Sequence, residues 1–367
     1  MSGGVDSLRA ALLLQETGRE VMGVHMRLMP PPPTGCSSAD ETMEERERAL
    51  FRVASRFGIE ITLIDGRELF EEVVIRPFVK AYLRGLTPNP CVHCNPRVKF
   101  PLLFQEALRR GARTMATGHY ARIMPPDAYS ARYRLLRGFD AAKDQSYFLY
   151  GLTQEQLAAS TFPLGRHTKV EVLDWARSRG LDAVLPRESQ EICFIPRGNY
   201  RDFLMERCRP AAHGIGGPIL DKTGKVLGEH KGLFAYTIGQ RRGLGIASTA
   251  PLYVVELDAA ANAVRVGSAS DLDRSELTAI AVNWVSLDPQ EAPLRCSVKI
   301  RHQHRPAPAL VTPLSTDRVR IVFDSPQRAV TPGQAAVFYM GDLLVGGGII
   351  EEFGNRPALS SVSRRAF

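Results

Sequence analysis

The first 205 residues alternate between two patterns of apolar side chains. Some segments repeat apolar residues with helical spacing, and shorter segments between them alternate apolar and polar residues as strands do. Gly18 and Gly58 stop the first two helical segments, and Pro77 should kink or split the third. The predicted helices are 8–16, 43–57, 68–84 and one that ends at Arg110, and the predicted strands are 20–28, 59–65 and 114–120.

This alternation predicts an α/β fold with a doubly wound parallel sheet of Rossmann-like class. Ligands of such sheets bind beyond the carboxyl ends of the strands. The opening loop of the chain and the segment TGHY (117–120) should both lie there.

The pattern changes after residue 205, where glycine-rich turns and short apolar runs replace helical periodicity. Residues 251–270 read as a hairpin, and the alternating segments 296–302, 317–324 and 334–340 suit a small β-barrel or sandwich. The predicted organisation is an α/β domain at 1–205, a small Gly-rich domain at 206–273, a β-barrel at 274–357 and a tail at 358–367.

The composition narrows the class of protein. The chain has 367 residues, of which 44% are hydrophobic and 23% charged, as in globular proteins. No apolar run approaches a membrane span and no leader resembles a signal peptide, so we expect a cytoplasmic protein. The net charge of +8 favours a polyanionic partner such as nucleic acid. Six cysteines are too few for a disulfide framework.

The opening segment MSGGVDS is a candidate phosphate-binding loop. Its glycines let backbone N–H groups approach a phosphate, and Ser2 and Ser7 add hydroxyl groups at a helix N-terminus. Asp6 is a candidate ligand for Mg²⁺ held between phosphates. The loop lacks the lysine of a Walker A motif. The alternative is a glycine-rich start capped by Asp6 or Ser7.

Cys91 and Cys94 form a C-x-x-C pair in TPNPCVHCNPRVKF, which we predict to be a loop over 87–96. The pair could be half of a zinc site, although no second pair completes four ligands. It could join Cys193 in holding an iron–sulfur cluster. A third reading is a reactive thiolate, favoured by the nearby charges of Arg97 and Lys99. The spacing alone does not choose among these.

Several further motifs have both a functional and a structural interpretation. Cys193, flanked by apolar residues in EICFI, is either reactive or a strand cysteine facing the core. His119 is either functional or a satisfied residue at a strand end. The polar triplet Lys143, Asp144 and Gln145 precedes an aromatic run that we expect in the core. The basic stretches GQRRGLGI (239–246) and KIRHQHR (299–305) are either solvated faces or contacts to RNA phosphates.

Taken in order, these motifs resemble the tRNA-specific 2-thiouridylase family from residue 1 to about 353. The matching segments are MSGGVDS, TPNPCxxCN, ATGHY, KDQSYFLY, EICFI, GQRRGLGI, TPGQAAVFY and GGGII. The resemblance implies an enzyme that uses ATP and a sulfur relay to make 2-thiouridine at the wobble position of tRNA. The opening loop is then the family's PP-loop, which grips the pyrophosphate end of ATP, with Mg²⁺ expected alongside the nucleotide.

The resemblance also assigns roles to individual residues. Cys94 matches the catalytic nucleophile and Cys193 the cysteine that carries a persulfide, with a transient Cys94–Cys193 disulfide closing the reaction. The positions that match ATP contacts are Met1, Ser2, Gly3, Gly4, Val5, Asp6, Ser7, Met26 and Gly118. Those that match target-base contacts are Asn89, Pro90 and Cys91. Those that match tRNA contacts are His119, Lys143, Asp144, Gln145, Arg301, His302 and Gln334.

The implied chemistry has two stages and two partners. The uracil C2 oxygen attacks the α-phosphate of ATP, pyrophosphate leaves, and the persulfide then delivers sulfur to C2 as AMP departs. The partners are the substrate tRNA and a persulfide-donating sulfur carrier or cysteine desulfurase. We expect the 87–96 and 188–200 segments to close over the flipped target base.

The sequence departs from the family pattern at three places. Cys91 stands where several members carry Asp, which keeps an iron–sulfur cluster open as a second reading. His302 stands where Tyr is frequent. Members also carry a short apolar strand just before MSGGVDS, so we expect that Met1 is the family's internal methionine and that the protein begins upstream. The alternative functions are an amide-forming PP-loop synthetase and an inactive tRNA-binding relative.

Overall fold

The computed structural model describes residues 1–29, 37–181, 192–195, 200–208 and 216–352. The first half of the chain alternates helices with parallel strands, which confirms the predicted α/β class. Strand β1 (Gly23–Arg27) pairs in parallel with β2 (Ile61–Asp65), and β3 (Met115–Ala116) pairs in parallel with β6 (Ser160–Thr161). Within the described residues these pairs form two separate two-stranded sheets.

The helices follow the predicted apolar periodicity, with differences at the prolines. They are α1 Val5–Glu16, α2 Ser37–Arg56, α3 Arg67–Phe70, α4 Arg76–Leu83, α5 Pro90–Cys94, α6 Phe100–Arg109, α7 Gln154–Ala158, α8 Lys169–Ser178 and α9 Tyr200–Cys208. A π-helical turn, Glu71–Ile75, joins α3 to α4. Pro77 lies in the first turn of α4, so the predicted division occurs at the preceding π turn rather than at the proline itself.

The predicted loop at 87–96 is wrong over most of its length. Helix α5 begins at Pro90 and continues through a second π turn, Asn95–Lys99, into α6. Prolines are tolerated at the first helical positions because the N–H that they lack has no partner there. Pro90 stands at such a position, whereas Pro96 and Pro101 lie within the continuous helical run, near the beginnings of the π turn and of α6.

The middle of the chain is a four-stranded sheet in the order β8-β7-β10-β9. Its strands are β7 Gly217–Leu220, β8 Val226–His230, β9 Tyr253–Asp258 and β10 Ala263–Gly267. Strands β9 and β10 pair antiparallel, which confirms the hairpin predicted at 251–270. Asn262 adopts a positive φ of 46° in its turn.

The C-terminal strands close into a six-stranded barrel, in the order β11-β14-β13-β12-β15-β16 with β16 returning to β11. They are β11 Asp273–Trp284, β12 Leu294–Lys299, β13 Ala307–Ser315, β14 Arg318–Arg328, β15 Ala335–Met340 and β16 Leu343–Ile350. A barrel rather than a sandwich is therefore formed. The predicted tail at 358–367 lies outside the described residues.

A hairpin from the first half of the chain extends this barrel sheet. Strand β4 (Ala121–Met124) pairs with β5 (Arg134–Arg137), and Leu136 of β5 pairs with Leu343 of β16. The aromatic run after Gln145 is buried, as predicted: Tyr147 is fully buried in one apolar cluster with Val337 of the barrel. The hairpin and this shared core join the α/β region to the barrel. No helix within the described ranges combines the length and apolar character needed to cross a membrane.

Candidate active site

The opening loop folds back on itself at the N-terminus of α1. The Ser2 amide donates to Ser7 Oγ at 3.1 Å, and Ser7 Oγ donates to the Gly4 carbonyl at 2.9 Å. Gly3 has φ of +86°, a conformation that glycine adopts without strain. Gly4 takes the N-cap position without a side-chain cap. The loop therefore leaves the first amides of α1 without an Asp or Ser cap, which suits an anion better than the capping alternative does.

Asp6 lies in the first turn of α1 and is held by two residues from distant segments. Lys169 Nζ lies 2.7 Å from each Asp6 carboxylate oxygen, and the Tyr120 hydroxyl donates to Asp6 Oδ1 at 2.8 Å. The Lys169 side chain is only 9% exposed. The expectation that Asp6 holds Mg²⁺ does not fit this arrangement, because its oxygens already serve an ammonium and a hydroxyl.

The segment ATGHY connects the loop to the rest of the site. A Cβ on Gly118 would lie 2.8 Å from the Asp6 backbone carbon, so only glycine lets the two segments approach this closely. His119 Nδ1 lies 2.8 Å from Thr117 Oγ1, and its ring is 6.0 Å from that of Phe100. Burial, with Lys99 adding to it, lowers the pKa of His119 to about 3. His119 is therefore neutral at physiological pH.

Helix α5 presents the two cysteines of the C-x-x-C pair. Asn89 caps the helix, its Oδ1 accepting from the Cys91 amide at 3.1 Å. Cys94 is buried, whereas Cys91 is half-buried. Both belong to the helical segment that runs on to Lys99 through the π turn. The proline-rich segment thus forms a helix that carries both thiols.

Cys193 reaches the same region on a short turn. Ile195 N donates to the Ile192 carbonyl at 3.0 Å, and Phe194 and Ile195 are buried in one apolar cluster with Cys94. Cys193 itself is exposed, so the reading of a strand cysteine facing the core is wrong. The cluster places Cys193 beside α5 although the two cysteines are far apart in sequence. Residues 188–191 and 196–199 of the segment predicted to close over the base lie outside the described residues.

Lys99 interacts electrostatically with all three cysteines. Burial alone would lower the pKa of Lys99, but the thiolate forms of Cys94, Cys193 and Cys91 attract its ammonium, outweigh burial and raise that pKa. Burial raises the pKa of Cys94 to about 12, with Lys99 acting in the opposite direction. The same two influences act on Cys91, where burial again prevails. Desolvation by neighbouring groups also raises the pKa of Cys193, although part of this residue reaches the surface. The raised pKa values favour the protonated form of all three thiols beside the Lys99 ammonium, and they do not support the reading of a resting thiolate.

The arrangement does not fit a resident iron–sulfur cluster. Among the residues that the structure describes, no group of three His, Cys, Asp or Glu side chains is placed to hold a metal ion. Cys91, Cys94 and Cys193 are free thiols.

Met1 and Met26, two of the positions matched to ATP contacts, both lie at β1. Met26, on β1, packs against the apolar cluster that buries Cys94. The Met1 carbonyl oxygen lies 2.7 Å from Nδ1 of His25, the neighbour of Met26. Met1 and the cysteine cluster therefore contact neighbouring residues of β1, whose side chains point to opposite faces of the strand.

The residues matched to tRNA contacts fall into two groups. Some support the site: Asp144 is buried and accepts from the Gly138 and Ser146 amides at 3.1 and 3.0 Å, and Gln145 Oε1 accepts from the Tyr120 amide at 3.0 Å. Gln334 of the barrel donates to the Thr87 carbonyl at 2.7 Å, just before α5.

The others lie nearer the surface. Arg301 is exposed, and the half-buried ring of His302 lies against that of Phe148, with ring centroids 4.4 Å apart and the planes tilted by 35°. Lys143 is half-buried. Arg241 and Arg242 of the basic stretch in the middle sheet are also exposed.

Sequence reasoning missed Lys169 and Tyr120. Lys169 is the first residue of α8, and the only local signal there is the Thr168–Glu171 capping box that starts the helix. Its partner Asp6 is 163 positions away. Tyr120 was read only as part of ATGHY.

Comparisons with known proteins find matches along almost the whole chain. Three family models match in succession: a tRNA methyl transferase HUP domain at residues 1–197, a tRNA methyl transferase PRC-barrel domain at 201–268 and an aminomethyltransferase beta-barrel domain at 274–350. The tRNA-specific 2-thiouridylase MnmA of Moorella thermoacetica is 49% identical over 357 residues, which cover 96% of this chain and 98% of that protein. The chain belongs to the tRNA-specific 2-thiouridylase family.

Other members of the family are similar over the same extent. The tRNA-specific 2-thiouridylase MnmA of Solibacter usitatus is 47% identical, covering 96% of this chain and 98% of its own length. That of Geotalea uraniireducens is 46% identical, covering 97% of this chain and 94% of its own length. The family resemblance drawn from the motifs is confirmed.

Proposed function

We propose that the chain is an ATP-dependent tRNA sulfurtransferase that forms 2-thiouridine at the wobble position. One observation carries the proposal: Phe194 and Ile195 pack against Cys94 and so bring Cys193 to α5, whose continuation contacts the ATGHY segment that touches the PP-loop. A nucleotide-activating loop and a sulfur-exchange site are thereby adjacent. An amide-forming synthetase has no use for such a group of thiols.

In the first stage the PP-loop binds the phosphates of ATP through the first amides of α1. The uracil C2 oxygen attacks the α-phosphate, the bond to the β-phosphate breaks, and pyrophosphate leaves. Met26 and Gly118 border the nucleotide, while Asn89, Pro90 and Cys91 at the start of α5 border the base. The reaction converts an oxygen that cannot leave into the leaving group AMP.

In the second stage sulfur is transferred. Cys193 receives a persulfide from a sulfur carrier or a cysteine desulfurase, and its terminal sulfur attacks C2 as AMP departs. Cys94 then attacks the Cys193 sulfur, the S–S bond to the base-bound sulfur breaks, and that sulfur keeps the electron pair as 2-thiouridine. Cys94 and Cys193 end as a disulfide, which an external thiol reduces.

Lys99 stabilises the sulfur anions of this sequence. Cys94 holds its proton at rest, so its attack requires deprotonation in a buried setting. The adjacent ammonium offsets the negative charge as it forms on Cys94 or on the persulfide. Arg97, from the same segment, is exposed and is not among the charges that act on these thiols.

Binding of tRNA is supported by the net charge of +8 and by exposed arginines on two β regions. We assign phosphate or base contacts to Lys143, Arg301 and His302 at the surface. His119 contributes a neutral ring, while Asp144, Gln145 and Gln334 shape the loops that meet the RNA.

The test is a thiolation assay on unmodified tRNA with ATP, magnesium and a persulfide donor. Digested nucleosides are read by mass spectrometry, which separates thiolation from methylation. Cys94→Ser and Cys193→Ser should each abolish 2-thiouridine while ATP binding persists. Cys296→Ser, which removes a half-buried thiol from barrel strand β12, is the matched control and should react at the wild-type rate.

Three results would contradict the proposal. Normal turnover by the Cys193→Ser variant would exclude the relay. Pyrophosphate release that does not depend on tRNA would favour an amide-forming synthetase. Binding of tRNA with neither pyrophosphate release nor thiolation would favour an inactive tRNA-binding relative.

A further inference from the structure

The PP-loop contains no basic residue, yet it must accommodate a triphosphate. MSGGVDS carries one acidic side chain, Asp6, and no lysine or arginine. A carboxylate in the first turn of a helix that binds phosphate would repel that phosphate unless its charge is compensated. The compensation comes from elsewhere in the chain.

Lys169 supplies it through a short contact in a sheltered place. Its ammonium nitrogen is 2.7 Å from both carboxylate oxygens of Asp6, and the side chains of Lys169 and Asp6 are 9% and 24% exposed. Tyr120 donates to the same carboxylate, and Gln145 fixes the Tyr120 backbone from both sides. Tyr120 and Gln145 thus fix the Asp6 carboxylate, and the carboxylate in turn holds the Lys169 ammonium.

Two helices begin at this point. Lys169 is the first residue of α8 and Asp6 the second of α1, so the contact joins the two N-terminal ends. The helices then pack together through Leu8, Leu12 and Ala176. Helix N-termini carry partial positive charge, which adds to that of Lys169 on the side where an anion would enter.

Taken with the proposed function, on which this rests, the geometry points to Lys169 as a phosphate-binding residue. We propose that Lys169, held by Asp6 and Tyr120, contacts the β- and γ-phosphates of ATP and takes the role that a loop lysine has in Walker A motifs. A single ammonium shared between a carboxylate and a phosphate keeps its position fixed and its charge available. Release of pyrophosphate then breaks that contact, whereas AMP never makes it.

The test compares ATP with AMP on the full-length protein by calorimetry. Lys169→Met should weaken ATP binding about ten- to a hundred-fold, the usual size of a lost charge-assisted hydrogen bond, and AMP binding by less than about two-fold. Lys169→Gln is measured in parallel, so that the ATP-to-AMP affinity ratio is available if the Met variant unfolds. Arg177→Met is the matched control, since it removes an exposed charge from the same helix and should change neither affinity.

The outcomes separate this inference from the proposed function. Wild-type protein that binds no ATP contradicts both. Wild-type protein that binds ATP, with an unchanged ATP-to-AMP ratio in both Lys169 variants, overturns the phosphate contact and leaves the sulfurtransferase proposal standing. Equal loss of ATP and AMP binding also overturns it, because it shows that Lys169 only holds the loop in shape.

Discussion

Lys169 and Lys99 place the same ammonium group in two different chemical settings. Lys169 faces the carboxylate of Asp6 at 2.7 Å, in an ion pair that joins two helix N-termini. Lys99 faces three cysteines whose pKa values burial raises, so its neighbours are neutral at rest. Within the described residues Lys99 has no carboxylate in ion-pair contact.

The difference corresponds to the two stages of the proposed reaction. A permanent ion pair fixes a charge in space and suits a ligand that is always anionic, such as a triphosphate. An ammonium beside protonated thiols gains its strongest partner only when a thiolate or persulfide anion forms, which is during reaction. Lys169 should therefore govern the affinity for ATP, and Lys99 should govern the rate of sulfur transfer.

The largest effect should come from removing the charge of Lys99. Lys99→Met should lower the single-turnover thiolation rate about 100- to 1,000-fold, the scale of losing one group that stabilises a developing anion. ATP affinity should stay at the wild-type value. Arg97→Met is the matched control from the same helical segment and should retain the rate. Equal losses in both variants would show that general charge, not position, matters.

A substitution at Gly118 should instead disturb the PP-loop, which contains Asp6, the partner of Lys169. A Cβ at this position would lie 2.8 Å from the Asp6 carbon and 3.0 Å from the Ser7 amide, so Gly118→Ala must shift the PP-loop. Overpacking of this kind costs about 1–3 kcal/mol, and we expect ATP affinity to fall with it. Gly228→Ala, whose Cβ would meet only Ile246 at 3.6 Å, is the control in thermal melts and calorimetry. Unchanged ATP affinity would show that the loop yields freely.

The protonation state of Cys94 can be read by alkylation. Because the pKa of Cys94 is about 12, its alkylation rate should rise about ten-fold per pH unit through neutral and mildly alkaline pH. Cys193, which is exposed, should react first. Peptide mass spectrometry after iodoacetamide treatment measures both rates, and Cys296, with a pKa also about 12 but outside this site, is the internal reference. A Cys94 rate that is already pH-independent near neutrality would mean a resting thiolate.

The smallest effect concerns acid stability. His119 has a pKa of about 3 in the fold, below its value in the unfolded chain, so the unfolded state binds more protons and stability falls as pH drops from about 7 toward 3. His119→Gln should make the fall in melting temperature over this range less steep. Melting curves at a series of pH values measure it, and identical slopes for both proteins would contradict the burial of a neutral ring.

Local sequence predicted the elements well where one physical cause dominates. Apolar periodicity located α1 and β2, and turn residues located the β9–β10 hairpin. The prolines led to the wrong prediction of a loop at 87–96. Proline destabilises the interior of a helix but is well tolerated at the first helical position. Pro90 follows the capping residue Asn89, and this position, not the proline content, decides that α5 forms.

The order of motifs along the chain determined the family, and the glycine and serine residues of MSGGVDS determined a loop suited to phosphate. Only the tertiary structure decided which charged groups lie beside this loop and beside the cysteines. Lys169 meets Asp6 across 163 positions, and the Phe194 cluster brings Cys193 to Cys94 and Lys99. Coulombic attraction acts through space and burial depends on everything packed around a group, so neither can be read from neighbours in sequence.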